Sequence, residues 1–167
     1  MKRMSLLSLL IIAAGVSFAD DDITRYPLPN NSTFPIAQAV EVSDDVSLIF
    51  HSGTVPGPAN PDAERSSREY YGDTETQAMS VFSRMEKSFE KLGLGFGDVI
   101  KMSVFLVGDP ELGGKMDFSG FMNAYTRYFG TDEQPNLPAR AAVQVAGLAG
   151  EGMLVEVEVV LARPDDD

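Results

Sequence analysis

A change in the spacing of apolar residues constrains the fold of this chain most strongly. Between Thr74 and Leu92 the apolar residues recur every three or four positions, at Ala78, Val81, Phe82, Met85, Phe89 and Leu92. That spacing is typical of a helix with one apolar face. From Ile100 to Val107 the apolar residues alternate instead, at Ile100, Met102, Val104 and Leu106, which predicts a strand. The chain is therefore expected to pack a helix against a sheet.

Polar residues mark the ends of this helix. Thr74 followed three residues later by Gln77 fits a capping box at its start. Gly93 fits the left-handed residue that commonly ends a helix. Both signals agree with the limits that the apolar spacing gives.

The flanking segments predict the remaining elements. Residues 36–42 and 46–52 are β-type runs joined by Ser43-Asp44-Asp45, which predicts a hairpin. Residues 117–129 predict a second helix that begins at the cap Asp117 and stops at Gly130, with an apolar face formed by Phe118, Phe121, Met122 and Tyr125. Residues 141–146 and 153–162 predict the last two strands.

The order ββ-α-β-α-ββ predicts an α+β domain in which two helices cover one face of a mixed sheet. The second face of such a sheet would leave apolar side chains in water unless another molecule covers it. Self-association of the chain is the expected solution.

The first nineteen residues have the pattern of a secretory signal peptide. Lys2 and Arg3 precede an apolar run over residues 6–16, and Ser17-Phe18-Ala19 supplies the small residues of a cleavage site. An uncleaved anchor is the alternative, although the run is short for a membrane span. We therefore expect a periplasmic or secreted protein that does not contact the membrane after cleavage.

The rest of the chain divides by composition into three segments. Residues 20–35 are polar and proline-rich and predict an extended N-terminal arm. Residues 36–162 form the predicted domain, and residues 163–167 form an acidic tail.

Composition excludes several kinds of chemistry. The chain has no cysteine and a single histidine, His51. It therefore lacks a disulfide framework, a thiolate metal site, a cysteine nucleophile and a multi-histidine metal site within one chain. Neither a metal nor a cofactor is expected. Catalysis would have to use carboxylates, arginine, hydroxyls, backbone groups and water.

The net charge argues against nucleic acid as a partner. Without residues 1–19, which contain Lys2 and Arg3, the chain has 13 − 2 = 11 basic and 25 acidic residues, a net charge of 11 − 25 = −14. Such a field repels phosphate backbones and anionic membrane surfaces.

Five segments, in order along the chain, resemble the Rid/YjgF family. The segment 138–143, Pro-Ala-Arg-Ala-Ala-Val, with Leu148 and Val155-Glu156-Val157, is similar to the family's signature segment. Residues 49–56 resemble its strand that ends in Ser-Gly. Gln77 with its helix, residues 92–101 and residues 123–129 follow in the family's order, so the resemblance covers residues 36–162.

This resemblance implies a chorismate-mutase-like α+β fold and a homotrimer whose sheets form a central barrel, with clefts between subunits. It also implies hydrolysis of 2-imino or 2-enamino acids to 2-keto acids and ammonia. An older description of the family is L-PSP endoribonuclease. The implied trimer agrees with the partner that the second sheet face requires.

The resemblance places two candidate catalytic residues. Arg140 stands where the family keeps an arginine that holds the substrate carboxylate, which a guanidinium can do through two parallel hydrogen bonds. A surface or interface salt bridge is its alternative role. Glu156 stands where a glutamate positions or activates the attacking water, and its alternative role is a structural ion pair with Arg140. Glu158 is predicted to share the strand face of Glu156 and competes with it.

Three further positions match candidate substrate-binding positions. Ser52 and Gly53 would bind by hydroxyl and backbone N–H, although a strand end also favours small residues. Asn123 matches a polar helix residue of the family that faces the subunit interface. Its alternative role is an exposed helix position or a local helix cap. His51 is expected to be a packed structural histidine rather than a proton carrier.

The chain departs from the family around the pocket. Residues 35–38 read Pro-Ile-Ala-Gln where studied deaminases have Pro-Tyr-Ser-Gln, so Ile36 replaces the pocket tyrosine. Ala142 replaces a common cysteine and Thr54 a common glutamine, and the predicted surface loop 57–72 is longer. Carboxylate binding therefore carries over more safely than the identity of the substrate.

Three functions follow from these observations. The first is an imine or enamine hydrolase with Arg140 and Glu156 as its working groups. The second is a non-catalytic secreted trimer that binds small carboxylates or a protein partner, motivated by the loss of the tyrosine. The third is an endoribonuclease, against which the net charge of −14 and the single histidine argue.

Overall fold

The computed structural model describes residues 22–164. In chain order its strands and helices are β1 (Ile23–Pro27), β2 (Ala37–Val42), β3 (Val46–Thr54), α1 (Arg68–Tyr71), α2 (Thr74–Leu92), β4 (Val99–Val107), α3 (Phe118–Tyr125), β5 (Ala139–Val145) and β6 (Val155–Pro164). The predicted signal peptide, the start of the predicted arm and the end of the acidic tail lie outside the described residues.

The six strands form one mixed sheet in the order β1-β2-β5-β4-β6-β3. Strand β4 lies at its centre, parallel to β5 and antiparallel to β6. The predicted mixed sheet is therefore confirmed.

Helices α2 and α3 cover one face of this sheet and form the core with it. The side chains that meet there are almost completely buried; they include Val81, Phe82, Met85 and Phe89 from α2, Phe121 and Tyr125 from α3, and Met102, Val104, Val157 and Val159 from the sheet. Burying each large apolar side chain contributes roughly 1.5–3 kcal/mol. The apolar spacing that predicted the helix and the central strand is thus the pattern of the core.

The predicted hairpin is wrong, and the predicted N-terminal arm contributes a strand to the sheet. Residues 23–27 form β1, which pairs antiparallel with β2. Strand β2 pairs with β1 and β5, whereas β3 pairs with β6, so the turn at residues 43–45 does not join a hairpin. A long-range anchor explains part of the difference, because Arg25 on β1 donates to the carbonyl oxygens of Val99, Leu137 and Gly97 at 2.8–3.0 Å.

The predicted helix over residues 74–92 is confirmed as α2, and only its predicted cap is wrong. Asp73 is the N-cap, and its Oδ1 accepts a hydrogen bond from the backbone N–H of Thr76 at 2.8 Å. Thr74 is already helical, so the predicted capping box of Thr74 and Gln77 is wrong. Gly93 does end the helix, with a left-handed φ of 69°.

Helix α3 has its predicted N-cap but ends early. Asp117 Oδ1 accepts from the N–H of Gly120 at 2.8 Å. The helix stops at Tyr125, where the prediction continued to residue 129. Residues 126–129 form turns in which the N–H groups of both Tyr128 and Phe129 converge on the Tyr125 carbonyl.

The predicted surface loop 57–72 contains a short helix, α1, that was not predicted. Ser67 caps α1 by accepting the N–H of Tyr70 at 3.1 Å. Arg68 binds both carboxylate oxygens of the buried Asp109 at 2.6 and 2.7 Å and so holds α1 against the end of β4. Within residues 22–164 no helix is both long and apolar enough to cross a membrane.

Gln77 joins three parts of the fold from a fully buried position. Its Nε2 donates to the carbonyl oxygens of Gly72 and Gly152, each at 3.1 Å, and its Oε1 accepts the N–H of Leu154 at 2.7 Å. The start of α2 is thereby tied to the start of β6.

Replacing Gln77 with leucine tests this connection. Gln77→Leu leaves buried backbone groups without partners, and we expect the free energy of unfolding to fall by about 2–4 kcal/mol. Urea denaturation measures the change. Glu86→Leu, at an exposed position of the same helix, is the control and should change stability by less than about 0.5 kcal/mol. Equal effects of the two variants would contradict the assigned role.

Candidate functional site

Arg140 extends from β5 into a cage of aromatic rings. It pairs with the buried Met102 of β4, so its side chain lies on the helix-covered face of the sheet. Its Cζ atom is 4.2 Å from the ring centroid of Tyr125 and 5.4–5.8 Å from those of Phe34, Phe118 and Phe121. These four residues are the aromatic cage, and the faces of their rings attract the guanidinium cation.

The guanidinium has few polar partners inside the cage. Nη2 donates to Met122 Sδ at 3.3 Å, a weak acceptor. Nη1 is buried and has no hydrogen-bond partner among the described residues, and within residues 22–164 Arg140 makes no ion pair with a carboxylate. An intrachain salt bridge is therefore not its role. Burial lowers the pKa of Arg140, although an arginine stays charged at neutral pH.

Tyr125 fixes one wall of the cage. Its ring is fully buried, and its hydroxyl donates to the carbonyl oxygen of Pro35 at 2.8 Å. Burial raises the pKa of Tyr125 to about 12, against the opposing effect of the Arg140 charge. The hydroxyl is therefore neutral at physiological pH and links α3 to the segment that carries Phe34 and Ile36.

A groove of about 590 Å³ runs beside β5, and both Arg140 and Ile36 line it. Its other walls include Leu28 and Ile100, and it extends to Leu48 and Phe50 on the sheet face away from the helices; none of the four cage rings lines it. Two of the predicted site positions thus lie on one cavity.

Glu156 lies on the other face of the sheet. It pairs with Phe105 of β4, three residues from Met102, the partner of Arg140. Successive residues of a strand point to opposite faces, so the two candidate catalytic side chains do not meet within one chain. The predicted ion pair is wrong because β4 separates β5 from β6. Glu158 shares the face of Glu156, as alternation predicted, and is exposed.

Ser52 and Gly53 form an irregularity in the pairing of β3 with β6, and Gly53 lies beside Glu156. A Cβ atom on Gly53 would stand 2.1 Å from Glu156 Oε1. A side chain at position 53 would therefore displace the Glu156 carboxylate. Ser52, Gly53 and Glu156 form a second cluster, which we call the Glu156 cluster.

Two other candidates take part in local packing. Asn123 is exposed and donates to Glu75 Oε2 at 3.0 Å on the helix surface. Ala142 lies on the same strand face as Arg140 and packs against the core. Among the described residues, neither Asn123 nor Ala142 is hydrogen-bonded to the Arg140 guanidinium.

His51 is a structural residue, as predicted. Its Nε2 lies 2.9 Å from Ser88 Oγ, and its ring meets the edge of Phe89 at a centroid distance of 5.4 Å. The histidine therefore joins β3 to α2.

Phe34 is the site residue that the sequence did not reveal. It lies between β1 and β2, in a segment without periodicity, and only the fold brings it to Arg140. The polar, proline-rich residues 20–35 contain two aromatic residues, Tyr26 and Phe34, and nothing local distinguishes Phe34 as the one at the site. Among residues 22–164 no group of three or more histidine or acidic side chains is arranged to hold a metal ion.

Gly53→Ala tests the Glu156 cluster. The added methyl group must displace the Glu156 carboxylate, so the free energy of unfolding should fall by about 1 kcal/mol. Glu156→Ala removes the obstacle, and in that background Gly53→Ala should cost much less. Thermal or urea denaturation of the four proteins measures the coupling. Simple additivity of the two substitutions would contradict this packing.

Known proteins share both the sequence and the fold. A sequence model of the family described as Endoribonuclease L-PSP matches residues 30–163. A RutC family protein of Haemophilus influenzae is 32% identical over 77% of this chain and 87% of its own length. The 2-iminobutanoate/2-iminopropanoate deaminase of Escherichia coli is 29% identical over 77% of this chain and 88% of its own length.

Solved structures agree with this assignment. A Rid family protein of Yersinia pestis, YyfB, has a TM-score of 0.62 at 18% identity, covering 85% of this chain and 99% of its own. The structure of Escherichia coli TdcF with bound serine has a TM-score of 0.52 at 28% identity, covering 79% of this chain and 91% of its own. The chain has the YjgF fold and belongs to the Endoribonuclease L-PSP family, the Rid/YjgF family that its sequence resembles.

Proposed function

We propose that this chain hydrolyses 2-imino or 2-enamino acids to 2-keto acids and ammonia. The observation that carries the proposal is the Arg140 guanidinium, which keeps its charge in an aromatic cage and has a buried N–H group without a partner. The Escherichia coli deaminase among the relatives supports the same reaction.

Arg140 would bind the carboxylate of the substrate. A carboxylate can accept two parallel hydrogen bonds from a guanidinium, and this interaction is stronger where water is excluded. The aromatic cage leaves the cation without a competing carboxylate among the described residues. The serine bound to TdcF carries a carboxylate as well, which supports this class of ligand.

Glu156 would position the water that attacks the imine carbon. The carboxylate accepts a proton from the water as the new C–O bond forms and passes it to the imine nitrogen, which gives a carbinolamine. The carbinolamine hydroxyl then gives its proton, through the same carboxylate, to the amino group; the C–N bond breaks, the carbonyl forms, and ammonia leaves. Ser52 and the backbone N–H of Gly53, beside Glu156, would supply hydrogen bonds to the reacting atoms.

This mechanism requires more than one copy of the chain. Arg140 and Glu156 lie on opposite faces of the same sheet, so one cleft can hold both only if neighbouring copies contribute them. Phe50 and Val143, which are 77% and 47% exposed on the face away from the helices, give an apolar surface for such contacts. We propose a homotrimer with a central barrel and three clefts between subunits.

Export completes the proposal. The pattern of residues 1–19 supports cleavage after Ala19 and a periplasmic or secreted location. An exported enzyme would act on imines outside the cytoplasm.

Carboxylate binding without turnover is the second candidate function. Ile36 lines the groove beside Arg140 where the family motif has a tyrosine, so the pocket lacks that hydroxyl. In this case Arg140 would still hold the ligand, but no ammonia would form.

Ammonia release from freshly generated imino acids tests the proposed reaction. We expect wild-type protein to accelerate release above the buffer rate, and Arg140→Ala to lower kcat/KM by about 100-fold or more, because a charge-assisted bidentate contact is worth several kcal/mol. Arg84→Ala, an exposed arginine on α2, should retain full activity.

Other results of this assay have clear meanings. No release with aliphatic or aromatic imines, together with carboxylate binding that Arg140→Ala abolishes, would support the binding function instead. Cleavage of RNA at low salt, weakening as salt rises, would contradict both functions.

Mixing two inactive variants tests the shared cleft. Arg140→Ala and Glu156→Ala are each expected to be inactive as homotrimers. In trimers co-expressed at equal amounts, a given cleft receives both intact residues with a probability of about one quarter, so about a quarter of wild-type activity should return. Co-expression that restores nothing would contradict a cleft built from two copies.

A further inference from the structure

We infer that Phe34 selects the substrate, and that the Arg140 site favours carboxylates bearing an aromatic or other large apolar substituent over small ones. This inference rests on the proposed function to the extent that Arg140 must hold the carboxylate. It adds the class of substituent, which neither the family nor its relatives specify for this chain.

Phe34 is the most accessible ring of the aromatic cage. Tyr125 and Phe121 are fully buried in the core, whereas Phe34 is 40% exposed. One side of Phe34 stacks on Phe118, with 6.4 Å between centroids and 22° between planes. Its centroid is also 5.4 Å from the Arg140 guanidinium. A ligand held at Arg140 can therefore reach an aromatic surface that the protein itself leaves uncovered.

The segment around Phe34 is held in place by hydrogen bonds on both sides. The N–H of Phe34 donates to Ser32 Oγ at 3.3 Å, and its carbonyl oxygen accepts the N–H of Ile36 at 2.8 Å. The next carbonyl oxygen, that of Pro35, accepts the Tyr125 hydroxyl. The ring is thus part of a built wall, and little conformational freedom remains to be lost when a ligand stacks on it.

A groove of about 340 Å³ runs along Phe34 and has room for a large substituent. Its volume falls within the range of roughly 300–1,000 Å³ typical of small-molecule sites. A substituent no larger than a methyl group would leave most of this space unfilled. Ile36, Leu28 and Leu137 form an apolar part of its wall, so a buried polar substituent would lose hydrogen bonds to water there.

The test compares imines made from phenylalanine and from alanine, with ammonia release as the readout. Stacking on one aromatic ring is expected to change affinity by on the order of tenfold. Phe34→Ala should therefore lower kcat/KM for the phenylalanine-derived imine about tenfold and leave the alanine-derived imine within about twofold. Phe34→Tyr, which keeps the ring, should behave as wild type. Leu112→Ala, which shortens an exposed apolar side chain elsewhere, should change neither substrate.

A binding measurement separates this inference from the proposed reaction. Calorimetric titration with phenylpyruvate and pyruvate, the keto acids of the two imines, requires no turnover. Arg140→Ala should lose both ligands, whereas Phe34→Ala should lose about tenfold in affinity for phenylpyruvate alone. Suppose that imines are hydrolysed, but Phe34→Ala changes neither the ratio of kcat/KM for the two imines nor the ratio of affinities for the two keto acids. The inference then fails while the proposed reaction stands. If no imine is hydrolysed but Phe34→Ala lowers the affinity for phenylpyruvate relative to pyruvate, the proposed reaction fails and the selectivity stands.

One other outcome would overturn the inference. If Phe34→Ala changes kcat/KM for both imines by the same factor, the ring only covers the guanidinium and does not select among ligands. A thermal melt of each variant excludes loss of the fold as the cause.

Discussion

The position of β4 between β5 and β6 determines how the candidate site is divided. Because side chains alternate along a strand, the pairing of Met102 with Arg140 and of Phe105 with Glu156 sends the arginine to the helix-covered face and the carboxylate to the other. Shifting β6 by one residue would bury Glu156 and Glu158 in the core, whereas shifting β5 would move Arg140 out of the aromatic cage to the open face. The same hydrogen bonds that build the sheet therefore keep the two groups apart within a chain, so the proposed mechanism depends on association between chains.

The aromatic cage shows the energetic cost of keeping a binding group ready. A buried N–H group without a partner costs about 1–3 kcal/mol, and burial lowers the pKa of Arg140 because the charged form is desolvated. Contacts between a cation and aromatic faces contribute about 0.5–2 kcal/mol each and offset part of that cost. An apolar residue at position 140 would satisfy the core better, so the retained charge is more readily explained by a ligand than by stability.

Periodicity predicted the elements whose stability is decided locally, and contacts between distant residues decided the rest. The apolar faces of α2, α3 and β4 could be read directly, because the same spacing that forms each element also builds the core. The strand β1 could not, since Arg25 finds its carbonyl partners 72 to 112 residues further along the chain. Gln77 was interpreted as a cap because its true partner, Leu154, is 77 residues away. In the site, resemblance identified Arg140 and Glu156, but neither their opposite faces nor the approach of Phe34 had a local signal.

Dividing a site between two copies links ligand binding to assembly. In the proposed homotrimer, a carboxylate that contacts Arg140 of one copy and the Glu156 cluster of its neighbour would bind only to the assembled form, and would stabilise that form by RT ln(1 + [L]/Kd). The effect is reciprocal, since whatever strengthens the subunit interface would also tighten the binding of the ligand. The exposed apolar face that carries Phe50 and Val143 would then affect the affinity for ligand through assembly. In such a protein, the sheet face that supports association and the cage that holds the guanidinium both shift one equilibrium, that between separate chains and the ligand-bound assembly.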